Sequence, residues 1–210
     1  MLRAISWLIL AGCITVQGFA ESADVLGKAE ELYKHTQYED SLALLDQHSF
    51  NSPTNFLIGR NYFMMGDFRK ATDYLQKAVS GNPTSSEYMD WLGRTYGKRA
   101  ETSNPLLAPS FASKARQAFE KSVELDKKNS EALSDLFDFY LEAPGFLGGG
   151  YDKAQAVAER IAVIDPPEGY YVKAQLDKKR KEFGAAEQHF RKAVAVAPQR
   201  PLASSGGHPA

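Results

Sequence analysis

Residues 59–83 read GRNYFMMGDFRKATDYLQKAVSGNP and contain the pattern that decides the fold. Small, large and helix-ending residues stand at fixed spacings in this stretch: Gly59, Tyr62, Ala71, Leu75, Ala78 and Pro83. Small residues let two antiparallel helices approach closely, large residues fill the gap between turns, and proline ends the second helix. Gly59 and Tyr62 recur one period later as Gly93 and Tyr96. The stretch therefore predicts a pair of helices that is repeated along the chain.

This spacing resembles the tetratricopeptide-repeat pattern, and it can be followed in both directions. The later copies keep the small and large positions of the second helix: Ala115, Phe119 and Ser122, then Ala154, Ala158 and Ile161, then Ala186, Phe190 and Ala193. The first copy is weaker and runs through Ala29, Leu32, Ser41, Leu45, His48 and Pro53. The resemblance implies an all-α fold, a right-handed superhelical solenoid of about five helical hairpins. We expect the hairpins at residues 22–51, 52–85, 86–129, 130–166 and 167–198.

Two departures from the regular repeat period predict loops, because insertions in a solenoid usually fall between helices. The third repeat contains about ten extra residues, which we assign to a loop at 101–110 with prolines at 105 and 109. The fourth repeat adds about five residues within 142–150, where Pro144 and four glycines exclude a continuous helix. Residues 199–210 are rich in Pro, Ser and Gly, and we expect a disordered tail there.

The overall composition is that of an ordinary soluble chain. Of the 210 residues, 43% are hydrophobic and 24% are charged, which excludes wholesale disorder and a polytopic membrane protein. The 25 basic and 26 acidic residues give a net charge of −1, so the chain lacks the basic surface that attracts a nucleic-acid backbone. Nucleic acid is therefore not an expected partner.

Residues 1–20 have the features of an export signal. Arg3 is the only charged residue before Glu21, residues 4–16 are mainly apolar, and Gly18-Phe19-Ala20 is a small-residue cleavage site. We predict cleavage after Ala20, a periplasmic or secreted location, and no membrane span in the mature chain. A retained N-terminal anchor is the alternative.

The single cysteine offers a second interpretation of the same segment. Leu10-Ala11-Gly12-Cys13 resembles the bacterial lipobox, in which the cysteine is lipidated and becomes the mature N-terminus. Lipidation at Cys13 would make the chain a membrane lipoprotein. In either case the mature chain has no cysteine pair, so its stability must come from packing.

No residue pattern predicts catalysis, a metal site or a cofactor. The four histidines, His35, His48, His189 and His208, have no ligand spacing, and no serine or cysteine nucleophile motif occurs. The glycines between 145 and 150 allow two interpretations. A small-ligand or anion site is one, and a structural bend is the other, favoured by the lack of a preceding strand and of a Gly-Lys-Ser/Thr ending.

The resemblance implies that the first helix of each pair lines the binding face. With Ile58, Gly59 and Tyr62 used in packing, the neighbouring stripe holds side chains at positions i, i+4 and i+7. The candidate groove residues are Phe56, Arg60, Phe63, Arg94, Lys98 and Asp138. We expect aromatic anchors beside a basic step, suited to a peptide with apolar and acidic groups. The alternative is that Phe56 and Tyr33 belong to the core between repeats.

One known use of such repeats is not expected in this chain. Chaperone-binding members grip a terminal carboxylate with Lys, Asn and Arg, whereas the matching positions here are Leu26, Glu30, Leu57, Glu87 and Trp91. The predicted function is a non-enzymatic scaffold for protein–protein interaction in an extracytoplasmic compartment. A lipid-anchored component of envelope assembly is the alternative, and a small-ligand binder at the glycine-rich bend is a further one.

Overall fold

The computed structural model describes residues 13–45 and 51–197, with side chains from residue 24 onward. The expected tail at 199–210 and His48 of the first repeat lie outside the described residues. Ten α-helices and one 3₁₀ turn make up the regular structure of the described residues, which contain no β-strand. The prediction of an all-α fold is therefore confirmed.

The helices follow one another as five pairs. Their bounds are α1 Cys13–Lys34, α2 Tyr38–Leu45, α3 Ser52–Met64, α4 Phe68–Gly81, α5 Ser86–Thr102, α6 Ala108–Leu125, α7 Ser130–Glu142, α8 Tyr151–Ile164, α9 Pro166–Lys179 and α10 Phe183–Val196. Contacts among the helices divide the chain into two compact units. The first ends at Asp126 and contains α1 to α6, and the second starts at Lys127 and contains α7 to α10.

Side-chain caps explain where several helices begin. Asn51, Asp67, Ser85, Asn129 and Asp165 each accept a hydrogen bond from the backbone N–H at position i+3. Such a cap satisfies one of the amides that a helix leaves without an internal partner at its first turn. The polar residues before each apolar stretch therefore set the starts of α3, α4, α5, α7 and α9.

The glycines that recur with the repeat mark close helix contacts in the first unit. A Cβ atom on Gly59 would lie 2.6 Å from Cγ of Leu75, and one on Gly93 would lie 2.7 Å from the ring of Phe119. Carbon atoms normally approach to about 3.5–4.0 Å. Glycine is thus needed at both positions because the second helix of each pair lies against the first.

A buried polar chain joins the first three helices. The Ser41 hydroxyl donates to the Ala29 carbonyl at 2.9 Å, and Nδ2 of Asn61 donates to Oγ of Ser41 at 3.0 Å. Ser41, Ala29 and Asn61 are all fully buried. Around this chain Leu45, Leu57 and other apolar residues form the core of α1, α2 and α3.

The second unit has its own core between α7, α8 and α9. Its most buried members include Leu133, Phe137, Ile161 and Val172. The last helix contributes less, because Ala186 is the buried residue of α10. A 2.7 Å contact between Nδ1 of His189 and a carboxylate oxygen of Asp177 also ties α10 to α9.

The first insertion differs from the prediction of a loop at 101–110. Helix α5 continues to Thr102 and α6 begins at Ala108, so only residues 103–107 separate them. Most of the extra residues lengthen the two helices, which have 17 and 18 residues against 13 and 14 in α3 and α4. Pro109 lies in the first turn of α6, where a proline does not interrupt the helical hydrogen bonds.

The N-terminal segment forms part of a continuous helix in its described portion. Helix α1 begins at Cys13 and runs through Ala20 to Lys34. None of the described helices is both long and apolar enough to cross a membrane. Cleavage after Ala20 and lipidation of Cys13 stay predictions.

Candidate functional site

The candidate groove residues of the first unit lie on one face, built from α1, α3 and α5. These first helices of successive pairs contact each other in order, α1 with α3 and α3 with α5. We call this surface the first-helix face and define it by Tyr33, Phe56, Arg60, Phe63, Trp91 and Arg94. Helical spacing places Phe56, Arg60 and Phe63 along the same side of α3.

Arg60 lies at the centre of the first-helix face and is held on several sides. Its guanidinium carbon is 4.2 Å from the ring centre of Tyr33 and 5.1 Å from that of Trp91. Its Nη1 also donates to Oε1 of Glu30 at 3.1 Å. Only 17% of the Arg60 side chain is exposed. The charge is therefore positioned by neighbouring repeats before any partner arrives.

A cluster of rings surrounds Trp91. The rings of Phe63 and Phe56 lie nearly perpendicular to Trp91, at ring-centre distances of 5.4 and 6.4 Å and interplanar angles of 86° and 83°. Phe56 also stacks on Tyr88 at 4.3 Å. Since Phe56 is 7% exposed, it belongs to the core between repeats, which was the alternative interpretation. Phe63 and Trp91 keep partly exposed surfaces that a partner can reach.

Tyr88 is also affected by this packing. Burial raises the pKa of the Tyr88 hydroxyl above its ordinary value, and the neighbouring Glu87 carboxylate adds to the increase. The ring thus stays neutral and acts as an aromatic support for Phe56.

Sequence reasoning missed Trp91 as a member of the face. Position 91 was named from the sequence only because it lacks the donor that grips a terminal carboxylate in chaperone-binding members. The signal was a tryptophan at the position that corresponds to Leu57, a fully buried leucine in the preceding repeat. A larger ring at the same position extends beyond the space that the leucine fills, and its outer part reaches the surface.

The two basic residues predicted on α5, Arg94 and Lys98, are each paired with an acidic residue of the same helix. Nε of Arg94 lies 3.0 Å from a carboxylate oxygen of Asp90, whose side chain is 3% exposed. Lys98 lies one turn further along α5 and pairs with Glu101 at 2.8 Å, with both side chains exposed. An acidic partner therefore has to exchange with an internal carboxylate, so these bases contribute less attraction than free cations would.

Asp138 belongs to the second unit, on α7, among other acids. Desolvation raises the pKa of Asp138 to about 6, with repulsion from Asp135, Glu168 and Glu142 adding to the shift. Because Asp138 is exposed at the surface, solvent screens much of this effect, and the direction of the shift counts for more than its size. Among the described residues no group of His, Cys, Asp or Glu has the arrangement of a metal site.

Glu168 on α9 faces the same acids. Burial raises the pKa of this carboxyl above its ordinary value, and Asp165 adds to the increase. A hydrogen bond from the Ser134 hydroxyl, at 3.4 Å, opposes the change. The region between α7 and α9 therefore carries an excess of negative charge, whereas positive charge was predicted on α5.

The glycine-rich segment at 145–150 is a structural bend. The amides of residues 148, 149 and 150 donate to the carbonyls of Gly145, Pro144 and Tyr140, so they are already engaged. These backbone donors are therefore not free to hold an anion, which argues against an anion site at this bend, while its use as a small-ligand site stays a prediction. Gly148 has a φ of 96°, a conformation in which glycine avoids the steric cost of a side chain.

Comparison with known proteins supports the repeat architecture. The tetratricopeptide-repeat family model matches residues 52–85 and 167–200. No curated protein sequence matches the chain. Among solved structures, TTC0263, a thermophilic tetratricopeptide-repeat protein of Thermus thermophilus, is similar with a TM-score of 0.69 and 16% identity over 84% of this chain and 92% of that one.

Two further structures have the same fold at similar distance. MamA gives a TM-score of 0.60 and 19% identity over 80% of this chain and 92% of that one. YrrB, described as a tetratricopeptide-repeat protein with an unusual peptide-binding site, gives 0.57 and 19% over 84% and 86%. At such identities the likeness establishes the fold alone.

The chain contains tetratricopeptide repeats, because the repeat spacing, the family match at residues 52–85 and 167–200, and the helical pairs agree. Proteins of this class generally act as non-enzymatic scaffolds that bind protein or peptide partners.

Proposed function

We propose that this protein is an extracytoplasmic scaffold that binds peptide segments of a partner on its first-helix face. The observation that carries the proposal is the partly exposed Trp91, surrounded by Phe63, Arg60 and Arg94. Tryptophan and arginine are the residues that most often dominate the energy of a protein interface. The peptide-binding site named for YrrB, a protein of the same fold, supports the idea that such a face can hold a peptide.

The packing of Arg60 favours tight recognition. The side chain is already fixed between Tyr33 and Trp91, so little conformational entropy is lost when a partner binds. We expect an aromatic or aliphatic side chain of the peptide to lie on Phe63 and Trp91. A carboxylate of the peptide would take the place of Glu30 at Arg60, so apolar contact gives most of the affinity and charge sets the register.

A photocrosslinking experiment tests this assignment in the native cell. A photoreactive residue at Phe63 should capture a partner peptide, whereas the same group at Gln117, an exposed position on α6, should not. The captured segment would be identified by mass spectrometry, synthesised, and titrated against the purified full-length chain. Capture of the same segment with equal yield at Gln117 would contradict the assignment.

The variant Trp91→Ala extends the test to affinity. Loss of a central tryptophan typically costs about 2 kcal/mol of binding or more, so we expect the synthetic peptide to bind about 30-fold more weakly. Gln117→Ala is the matched control and should bind as the natural chain does. Circular dichroism of both variants separates a loss of binding from a loss of fold.

The proposed compartment rests on residues 1–20 and requires a separate measurement. Intact mass of the protein purified from its host should give an N-terminus at Glu21. A lipidated N-terminus at Cys13 would instead support the second candidate, a lipid-anchored component of envelope assembly, which the Leu10–Cys13 sequence favours. An unprocessed N-terminus would contradict both.

A further inference from the structure

A cavity lies in the first unit beside the first-helix face. The two share no residue, but the ring of Phe68 in the cavity lies 5.4 Å from that of Phe63 on the face. Its volume is about 340 Å³. One wall is the turn between α3 and α4 with the start of α4, and the other is the C-terminal end of α5 with the insertion that follows. We call it the insertion pocket and define it by Phe68, Arg69, Arg99, Leu107 and Phe111.

The extra residues of the third repeat contribute Leu107 to the apolar part of the insertion pocket, and Phe111 follows directly after them. Leu107 lies in the short connection to α6 and Phe111 in the first turns of that helix. Leu107 exposes half of its surface, at 50%. The ring of Phe111 stacks on Tyr96 with centres 6.4 Å apart, and this contact helps to fix its position. The insertion therefore adds an exposed leucine to this apolar wall.

The pocket also carries two arginines, Arg69 and Arg99. Nη1 of Arg99 donates to the Thr72 hydroxyl at 3.2 Å, and its guanidinium carbon lies 4.1 Å from the ring centre of Phe111. Among the described residues neither Arg99 nor Arg69 forms an ion pair with a carboxylate. This differs from Arg60 and Arg94, which each hold one.

The acid that lines the pocket is already engaged. A carboxylate oxygen of Asp67 accepts a hydrogen bond from the backbone N–H of Lys70 at 3.0 Å, and the other lies 3.5 Å from Nζ of Lys70. The charge of Asp67 is thus directed to the start of α4 and to Lys70. The pocket thus holds two arginines, Arg69 and Arg99, beside two aromatic rings. This arrangement suits an anion attached to an apolar group.

We propose that the insertion pocket binds a small organic carboxylate with an aromatic or branched aliphatic body. The body packs against Phe68, Leu107 and Phe111, and the carboxylate lies between Arg99 and Arg69. The volume is near the lower end of small-molecule sites, which suits one ring or one branched chain rather than an extended peptide. The proposal is independent of the peptide-binding function assigned to the first-helix face.

The first test is a titration of the full-length chain with 3-phenylpropionate, followed by NMR. Saturable shifts should appear at the amides of Leu107 and Phe111. The uncharged amide of the same shape, 3-phenylpropionamide, should bind at least about tenfold more weakly, because it lacks the charge that the arginines recognise. Absence of saturable binding, or equal binding of the acid and the amide, would overturn the proposal.

A second arm distinguishes two sources of the same chemistry. N-acetyl-phenylalanine represents a free carboxylate, and a Gly-Ser peptide ending in phenylalanine represents the end of a polypeptide. Tighter binding of the first supports the proposal, and tighter binding of the second would overturn the small-molecule assignment in favour of a chain terminus. Binding of neither would overturn the proposal.

Matched variants connect the binding to the pocket. Arg69→Gln and Leu107→Glu should each weaken 3-phenylpropionate about tenfold, the first by removing a cation and the second by placing an acid on the apolar wall. The control is Leu106→Glu, the neighbouring residue, which is 91% exposed and does not line the pocket. Equal effects of the two glutamates would contradict the site. Thermal unfolding of each variant confirms that the fold is kept.

Discussion

Replacing Gly93 by alanine adds one methyl group where α5 lies against α6. The new Cβ would lie 2.7 Å from the ring of Phe119, which is 6% exposed and has little room to move. A Cβ on Gly97, one turn further along α5, meets no atom within 4 Å. Both changes gain about 1 kcal/mol of helix propensity, but overpacking at Gly93 costs about 1–3 kcal/mol. Gly93→Ala should therefore be about 1–3 kcal/mol less stable than Gly97→Ala.

Urea unfolding followed by circular dichroism measures this difference. Gly97→Ala should raise the midpoint above that of the natural chain, and Gly93→Ala should lie at or below the natural value with an unchanged slope. The comparison uses one helix, one type of substitution and one probe, so the propensity contribution cancels. If Gly93→Ala proved as stable as Gly97→Ala, the close approach of α5 and α6 would not be the reason for glycine at this position.

Three further changes have defined outcomes. Ser41→Ala should lower the free energy of unfolding by about 1–3 kcal/mol in a urea titration, because a buried donor of Asn61 loses its acceptor. Ser80→Ala, at an exposed site, should change it by less than about 0.5 kcal/mol, and equal effects would argue against the buried chain. Asp138→Asn should raise stability at pH 8 by about 1 kcal/mol, after allowance for solvent exposure. Because the folded-state pKa of about 6 exceeds the ordinary value, the natural chain gains stability as the pH falls through 6 towards 4. Parallel pH profiles of natural and variant chains, measured by thermal unfolding, would refute this. Gly148→Ala should destabilise the chain by about 1–2 kcal/mol in urea, since its φ of 96° is unfavourable for alanine, and an unchanged midpoint would refute the structural role.

The repeat fold could be predicted because its determinants are local and periodic. Gly59 and Gly93 recur one period apart, and both mark positions where the second helix of a pair lies against the first. The bounds of the loop in the first insertion were predicted less accurately. Its flanks hold good helix formers such as Ala100 and Glu101, and Pro109 is compatible with a helix start, so the chain lengthens two helices where a loop was expected.

Only part of the candidate site could be predicted from the sequence. Helical spacing placed Phe56, Arg60 and Phe63 on one side of α3, but it could not reveal that Arg60 pairs with Glu30 on a different helix. The pairing of Asp90 with Arg94 follows from i, i+4 spacing and could have been anticipated. The role of Trp91 depends on how rings from separate segments meet, and such contacts are a property of the folded chain.

The shallow burial of the last helix has a consequence for the lifetime of the protein. Ala186 is the buried residue of α10, and Val194 stays 78% exposed, although His189 and Phe190 also contact Asp177 and Tyr171 of α9. The amides of α10 should therefore exchange with solvent at a lower free-energy cost than those of α9. Proteases in the surrounding compartment would then meet this end first, and cleavage there would shorten the stack while leaving the first-helix face intact.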